Sequence, residues 1–161
     1  MRRSGWLILF AIVVLLVAGI WFVTRNASIS ALEAPGRTES FVANHAKRWL
    51  IARAARGPLP AESASSSDTV SDGQMFYGSL CASCHGYDAH TPTPLGRSMS
   101  PRAPSLAGPA VQRWSDAELY VIIHDGIRMS GMPSFGESER RDQIWSLVHY
   151  IRSLPNAKPR P

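Results

Sequence analysis

Cysteine is nearly absent from this chain. Only two occur in its 161 residues, Cys81 and Cys84, three positions apart. No other thiol competes for their chemistry. A zinc site would need histidines such as His85 and His90 to complete it, and the usual finger spacings are missing. A thioredoxin-like dithiol would want a strand–helix–strand context, and none is apparent. No block of basic residues stands out, so a nucleic-acid partner is not expected despite the net charge of +5. Ser/His/Asp sets, phosphate loops and paired carboxylates do not stand out either. A stand-alone enzyme with a small-molecule substrate is therefore not expected.

The charge is unevenly placed. Residues 1–71 carry a net +4, residues 72–155 a net −1, and Lys158 and Arg160 add +2 at the tail. The basic balance belongs to the N-terminal part and the end, not to the middle.

What the chain does contain is Cys81-Ala82-Ser83-Cys84-His85. This reads as the attachment site of a c-type haem. Two thiols three positions apart can each add to one vinyl group of the same porphyrin. His85 follows directly and can offer Nε2 as the proximal iron ligand. Downstream lies Ile127-Arg128-Met129-Ser130-Gly131-Met132-Pro133-Ser134-Phe135-Gly136. A thioether suits haem iron as the sixth ligand. Met132 is the first candidate, since Gly131 permits close approach and Pro133 fixes the backbone. Met129 is the alternative. Pro104 is a candidate to present its carbonyl to the His85 Nδ1–H and so set the tautomer, or else a simple turn proline. His45 lacks a companion ligand, and His90 sits among polar neighbours. A second Cys-x-x-Cys-His is absent, which argues against a two-haem peroxidase arrangement.

Residues 6–23 form an unbroken uncharged run, flanked by Arg2 and Arg3 before and Arg25 after. About twenty apolar residues suffice to span a bilayer core. Trp6 and Trp21 sit near its ends, where interfacial aromatics are favoured. An uncleaved anchor is expected over residues 1–25. The competing reading is a signal peptide cut near Ser28-Ile29-Ser30, although signal cores are usually shorter. Arg2 and Arg3 place the N-terminus in the cytoplasm, while Arg25 and Arg37 pull the other way.

Residues 26–56 follow as a membrane-proximal basic segment. Thr38 is the expected N-cap, with Glu39 in the first turn. Phe41, His45, Trp49 and Ala52, with Val42 alongside, recur as one apolar face. That helix either packs on a protein surface or lies on headgroups. Residues 57–71 are rich in Pro, Ala and Ser and are expected to be a flexible linker. Ser71 or Asp72 then caps a helix running to the cysteines. Residues 87–109 look like a long loop. Ser115 and Glu118 form a capping box for a helix that ends at Gly126. Ser138 is the expected cap of a last helix over residues 139–154. Its stripe is Ile144, Leu147, Val148, Ile151 and Leu154. Residues 156–161 are expected to be a frayed tail.

The segment 72–155 resembles the class I (mitochondrial-type) cytochrome c domains of bacteria. Gly73, Phe76 and Tyr77 stand before Cys-x-x-Cys-His-Gly. Then come Met132-Pro133-x-Phe135 and a C-terminal helix with Leu147-Val148-x-Tyr150-Ile151-x-x-Leu154. Residues 118–136 also look like those of membrane-anchored monohaem cytochromes of proteobacteria. The resemblance covers about half the chain. It implies an all-α fold: a small helical haem domain preceded by a transmembrane helix and a short basic helix, with Gly73 letting the terminal helices cross closely near Trp145 and Tyr150. It implies one covalently bound haem c and redox partner proteins in a respiratory chain. The expected place is the bacterial inner membrane, with the haem domain in the periplasm. Single-electron transfer with His85/Met132 ligation is the expected role. The alternatives are a cytochrome subunit of a dehydrogenase or oxidase complex, or a haem-based gas sensor with a labile Met132. The family's usual ring of lysines is missing, which leaves no basic docking face for an acidic partner.

Overall fold

The computed structural model describes residues 2–26, 30, 33 and 35–156. Among them every regular element is helical and no strand occurs, as an all-α fold requires. The chain forms two compact units, Met1–Glu33 and Ala34–Pro161.

The first unit is the helix α1, Arg2–Asn26. Its part Gly5–Arg25 is long and apolar enough to cross a membrane. Those 21 residues rise about 30 Å, the thickness of a hydrocarbon core. Ser28 and Ile29, where a cut was conceivable, lie outside the described residues, as do residues 157–161 of the expected tail.

The second unit begins with α2, Arg37–Ala54. Its N-cap is Gly36 rather than Thr38, and the Glu39 carboxylate accepts the Gly36 N–H at 3.3 Å. The helix lies against α7 (Asp116–Asp125). The side it turns inward is not the expected one. Ile51 is buried, and Lys47 and Ala55 are half-buried on the same side. Phe41, Val42, His45 and Trp49 face outward. The Arg48 guanidinium stacks over the Trp114 ring, 5.0 Å from its centroid. A buried isoleucine and a cation–aromatic contact therefore dock this helix, rather than its aromatic stripe.

Residues 57–66 were expected to begin a flexible linker, but they are tied to the rest. Leu59 packs against the core. The His149 Nε2–H donates to the Ser63 carbonyl at 2.8 Å. The remainder of the expected linker is helical, because α3 spans Ser67–Leu80. Ser66 caps it, its hydroxyl accepting the Thr69 N–H at 3.2 Å.

The core is the crossing of α3 with α8, Arg141–Ser153. Gly73 permits it: a Cβ there would stand 1.9 Å from the Ser146 carbonyl oxygen. The rings of Tyr77 and Tyr150 lie 5.2 Å apart beside the crossing. Ile144, Leu147, Val148 and Ile151 bury the stripe of α8, as their spacing predicts. The N-cap of α8 is Arg140, not Ser138, whose hydroxyl donates to the Phe135 carbonyl instead. Trp145 meets Tyr120 of α7 at 4.7 Å. Ser115 and Glu118 form the expected capping box of α7. Near the C-terminal end of α8, Arg152 donates to the carboxylate of Asp116 and to the carbonyls of Gln112 and Trp114.

Candidate functional site

The two cysteines lie where α3 gives way to α4, Ala82–His85. Cys81 is at once the C-cap of α3 and the N-cap of α4, its N–H donating to the Tyr77 carbonyl at 2.9 Å. The His85 N–H donates to the Cys81 carbonyl at 2.9 Å, which closes the turn. Neither cysteine is in a disulfide. Burial, then the Cys84 thiol and Glu139, pushes the Cys81 thiol up to about 12. Among the described residues, no group of three or more His, Cys, Asp or Glu side chains converges in a metal-binding cluster.

Gly86 ends α4 with φ +84°, and a Cβ there would stand 2.0 Å from the Thr91 carbonyl. Only glycine suits both conditions. The Tyr77 hydroxyl donates to the Gly86 carbonyl. Burial, then Cys81, Tyr150 and Asp88, raises the pKa of this phenol.

The stretch after Gly86 is more ordered than its composition implies. It contains the short helix α5, Pro94–Ser98, capped by the Thr93 hydroxyl. Thr93 also donates through its hydroxyl to the Ser83 carbonyl at 2.7 Å and through its N–H to Cys84 at 3.1 Å. Gly96 comes so close that a Cβ would stand 2.1 Å from the Cys84 carbonyl. The Leu106 N–H donates to Ala89 at 2.9 Å. The loop therefore clamps α4 from outside, through backbone contacts that hydrophobic periodicity does not reveal.

This clamp delivers Pro104. Its carbonyl lies 3.0 Å from His85 Nδ1. A carbonyl can only accept, so the proton sits on Nδ1 and the lone pair on Nε2. Burial holds the pKa of His85 below the ordinary histidine value, with the Pro104 contact opposing it. The neutral ring thus presents a ligating nitrogen.

The methionine loop follows α6 (Pro109–Gln112) and α7. Gly126 turns the chain with φ +69°, and a Cβ there would stand 2.6 Å from the Pro133 carbonyl carbon. The Ile127 N–H donates to the Met132 carbonyl at 3.2 Å, closing the loop. The Ser130 hydroxyl accepts the Met132 N–H at 3.1 Å. The two methionines point differently. Met132 is half-buried and packs against the core, while Met129 has φ +61° and is 93% exposed. A third methionine enters unforeseen: Met99 lies against the loop, its sulfur 2.4 Å from where a Gly131 Cβ would stand. His45 bonds the Phe41 carbonyl of its own helix, and His90 lies in the turn of Asp88.

The donor set suits a covalently held haem. Two thiols flank one turn, a neutral imidazole keeps Nε2 available, and a thioether rests on the core. Leu80, Cys81, Met132 and Phe135 are each only half-buried. They offer apolar surface for a porphyrin to cover.

Residues 68–151 match the family model described as cytochrome c oxidase, cbb3-type, subunit III. The fold is similar to a chain of the Kuenenia stuttgartiensis reducing HAO-like protein complex Kustc0457/Kustc0458, at 23% identity and a TM-score of 0.53. That match covers 62% of this chain and 51% of the other, so it reaches about half the length of the solved chain. A second solved structure, the KustC0563 c-type cytochrome, is 30% identical over 52% of this chain and 96% of its own, with a TM-score of 0.46. Among curated proteins, no relative matches the chain.

Proposed function

Since the chain belongs to the cytochrome c family described as cytochrome c oxidase, cbb3-type, subunit III, we propose that it is a membrane-tethered carrier of single electrons whose iron is held by His85 and Met132. The family assigns it haem c and electron transfer, and the one Cys-x-x-Cys-His motif assigns it one haem. The haem supplies one-electron exchange at iron; the chain supplies attachment, ligation and shelter from water. Cys81 and Cys84 fasten the porphyrin. Pro104 holds His85 in the tautomer that leaves Nε2 to the metal. Met132 supplies the thioether, which raises the reduction potential. The observation that carries this reading is the Pro104–His85 contact at 3.0 Å, because it orients the imidazole of the attachment motif.

The apolar helix Gly5–Arg25 supports tethering to the bacterial inner membrane. Covalent haem attachment of this kind belongs outside the cytoplasm, so the haem domain faces the periplasm. Its partners are then redox proteins of a respiratory chain. A second reading, a cytochrome subunit of a larger oxidoreductase complex, is favoured by the family description and by the complex named in the similar structure.

Absorption spectra of the holoprotein test the ligation. The ferric wild type is expected to show the weak long-wavelength band of sulfur-to-iron charge transfer, and the ferrous form is expected not to bind CO. Met132→Ala loses the band and binds CO; Met129→Ala changes neither. A wild type without the band that binds CO overturns the assignment and favours the gas sensor. Loss of the band in Met129→Ala alone transfers the ligand role to Met129.

A further inference from the structure

The outward side of α2 is rich in apolar side chains that stand exposed among the described residues. Phe41, Val42, Trp49 and Leu50 are 62%, 59%, 58% and 55% exposed. Val42 and Trp49 lie opposite Ile51, which docks on the haem domain, and Phe41 and Leu50 flank them on either side. Large apolar residues clustered in this way mark an interaction surface. The charge around them points to the occupant. The segment carries Arg37, Lys47, Arg48, Arg53 and Arg56 against Glu39 alone; Lys47 and Arg48 turn toward the haem domain, which leaves Arg37, Arg53 and Arg56 exposed. The Arg53 guanidinium lies over the Trp49 ring, 5.5 Å from its centroid, so cation and aromatic are presented together. The covalent order of the chain points the same way. Ten residues separate Asn26, the end of the membrane-length helix, from Arg37, the start of α2.

We propose that α2 is an interfacial helix: its outward face lies in the acyl–headgroup boundary of a bilayer bearing anionic phospholipid, while Ile51 and Arg48 hold the haem domain on its other side. An apolar face that carries aromatics and exposed arginine is the pattern that binds such surfaces. A protein partner is the rival occupant. An acidic groove would match the charge equally well, but only the bilayer is already supplied by the neighbouring helix. The inference rests on the tethered-carrier reading in assuming a membrane, and the two fail separately.

The test uses the full-length holoprotein in vesicles of mixed anionic and zwitterionic phospholipid. Phe41, Trp49 and, as a control, the exposed Tyr87 are replaced in turn by the photoreactive benzoyl-phenylalanine. Lipid adducts are expected at 41 and 49 and not at 87. Arg53→Gln or Arg56→Gln should lower adduct yield at 41 by up to about fivefold each, as a cation near an anionic surface provides ~1 kcal/mol. No adducts at 41 and 49, or equal adducts at 87, overturn the proposal. In native membranes, crosslinks from 41 and 49 to protein in place of lipid also overturn it. Resistance of the chain to alkaline carbonate extraction reports on the α1 anchor alone. An anchored chain without adducts rejects the interfacial helix and leaves the tether standing; a chain that washes off yet forms adducts at 41 and 49 does the reverse.

Discussion

At His85 one backbone carbonyl decides which nitrogen is left for a metal. The contact with Pro104 spans 19 residues, so it depends on the whole loop that returns Pro104 to the ring. Glycines govern how closely the surrounding backbones approach, and two in α3 make opposite predictions. Gly73 faces the Ser146 carbonyl, with a built Cβ at 1.9 Å from backbone that cannot yield. Gly73→Ala should therefore destabilise the holoprotein by about 1–3 kcal/mol, as overpacking does. Gly78 meets nothing within 4 Å. Gly78→Ala should be neutral or stabilising by up to about 1 kcal/mol, because alanine loses less backbone freedom in a helix. Denaturant midpoints of the two variants check the pair; equal destabilisation would refute the close crossing.

Among the elements, α8 organises the second unit. It crosses α3 near its middle and is fastened near its C-terminal end by Arg152. That guanidinium meets the Asp116 carboxylate at 2.5 Å, the Gln112 carbonyl at 3.0 Å and the Trp114 carbonyl. Arg152→Leu leaves these acceptors without their donor and should cost about 1–3 kcal/mol, read as a lower urea midpoint at unchanged slope. Arg152→Lys should recover only part, since a single ammonium does not reproduce the planar fork. A midpoint unmoved by Arg152→Leu would show that the network is dispensable. Elements built from local signals were legible in sequence. The Ser115–Glu118 capping box, the Gly126 stop and the apolar stripe of α8 each involve residues within a few positions. What escaped was non-local. Residues 57–66 read as a linker because their composition lacks apolar bulk. The bond that ties them comes from His149, 86 positions from Ser63. The docking side of α2 escaped because a stripe of aromatics outweighs one isoleucine in any periodic reading. At the site, Cys81, Cys84 and His85 were legible as one contiguous motif. Pro104 stood as one of two readings of a proline, and Met99 carried no signal until the fold laid it against Gly131.

For the molecule as a whole, a core built around the α3–α8 crossing leaves apolar side chains beside the cysteines only half covered. Cofactor attachment should then be part of folding. Replacing both Cys81 and Cys84 with alanine should yield a chain that releases haem on denaturation and, without it, loses most of its helical circular dichroism and becomes sensitive to protease. A cysteine-free chain that keeps haem through denaturing electrophoresis would refute the thioether assignment. The strap from His149 to Ser63 has a further, mechanical consequence. It leaves little slack between α2 and the haem domain, so the two turn as one body. Whatever surface α2 rests on also sets the direction in which the His85 edge looks. If that surface is the bilayer proposed for α2, the carrier finds its partners by gliding in two dimensions, and its encounter rate follows lateral diffusion rather than the swing of a long leash.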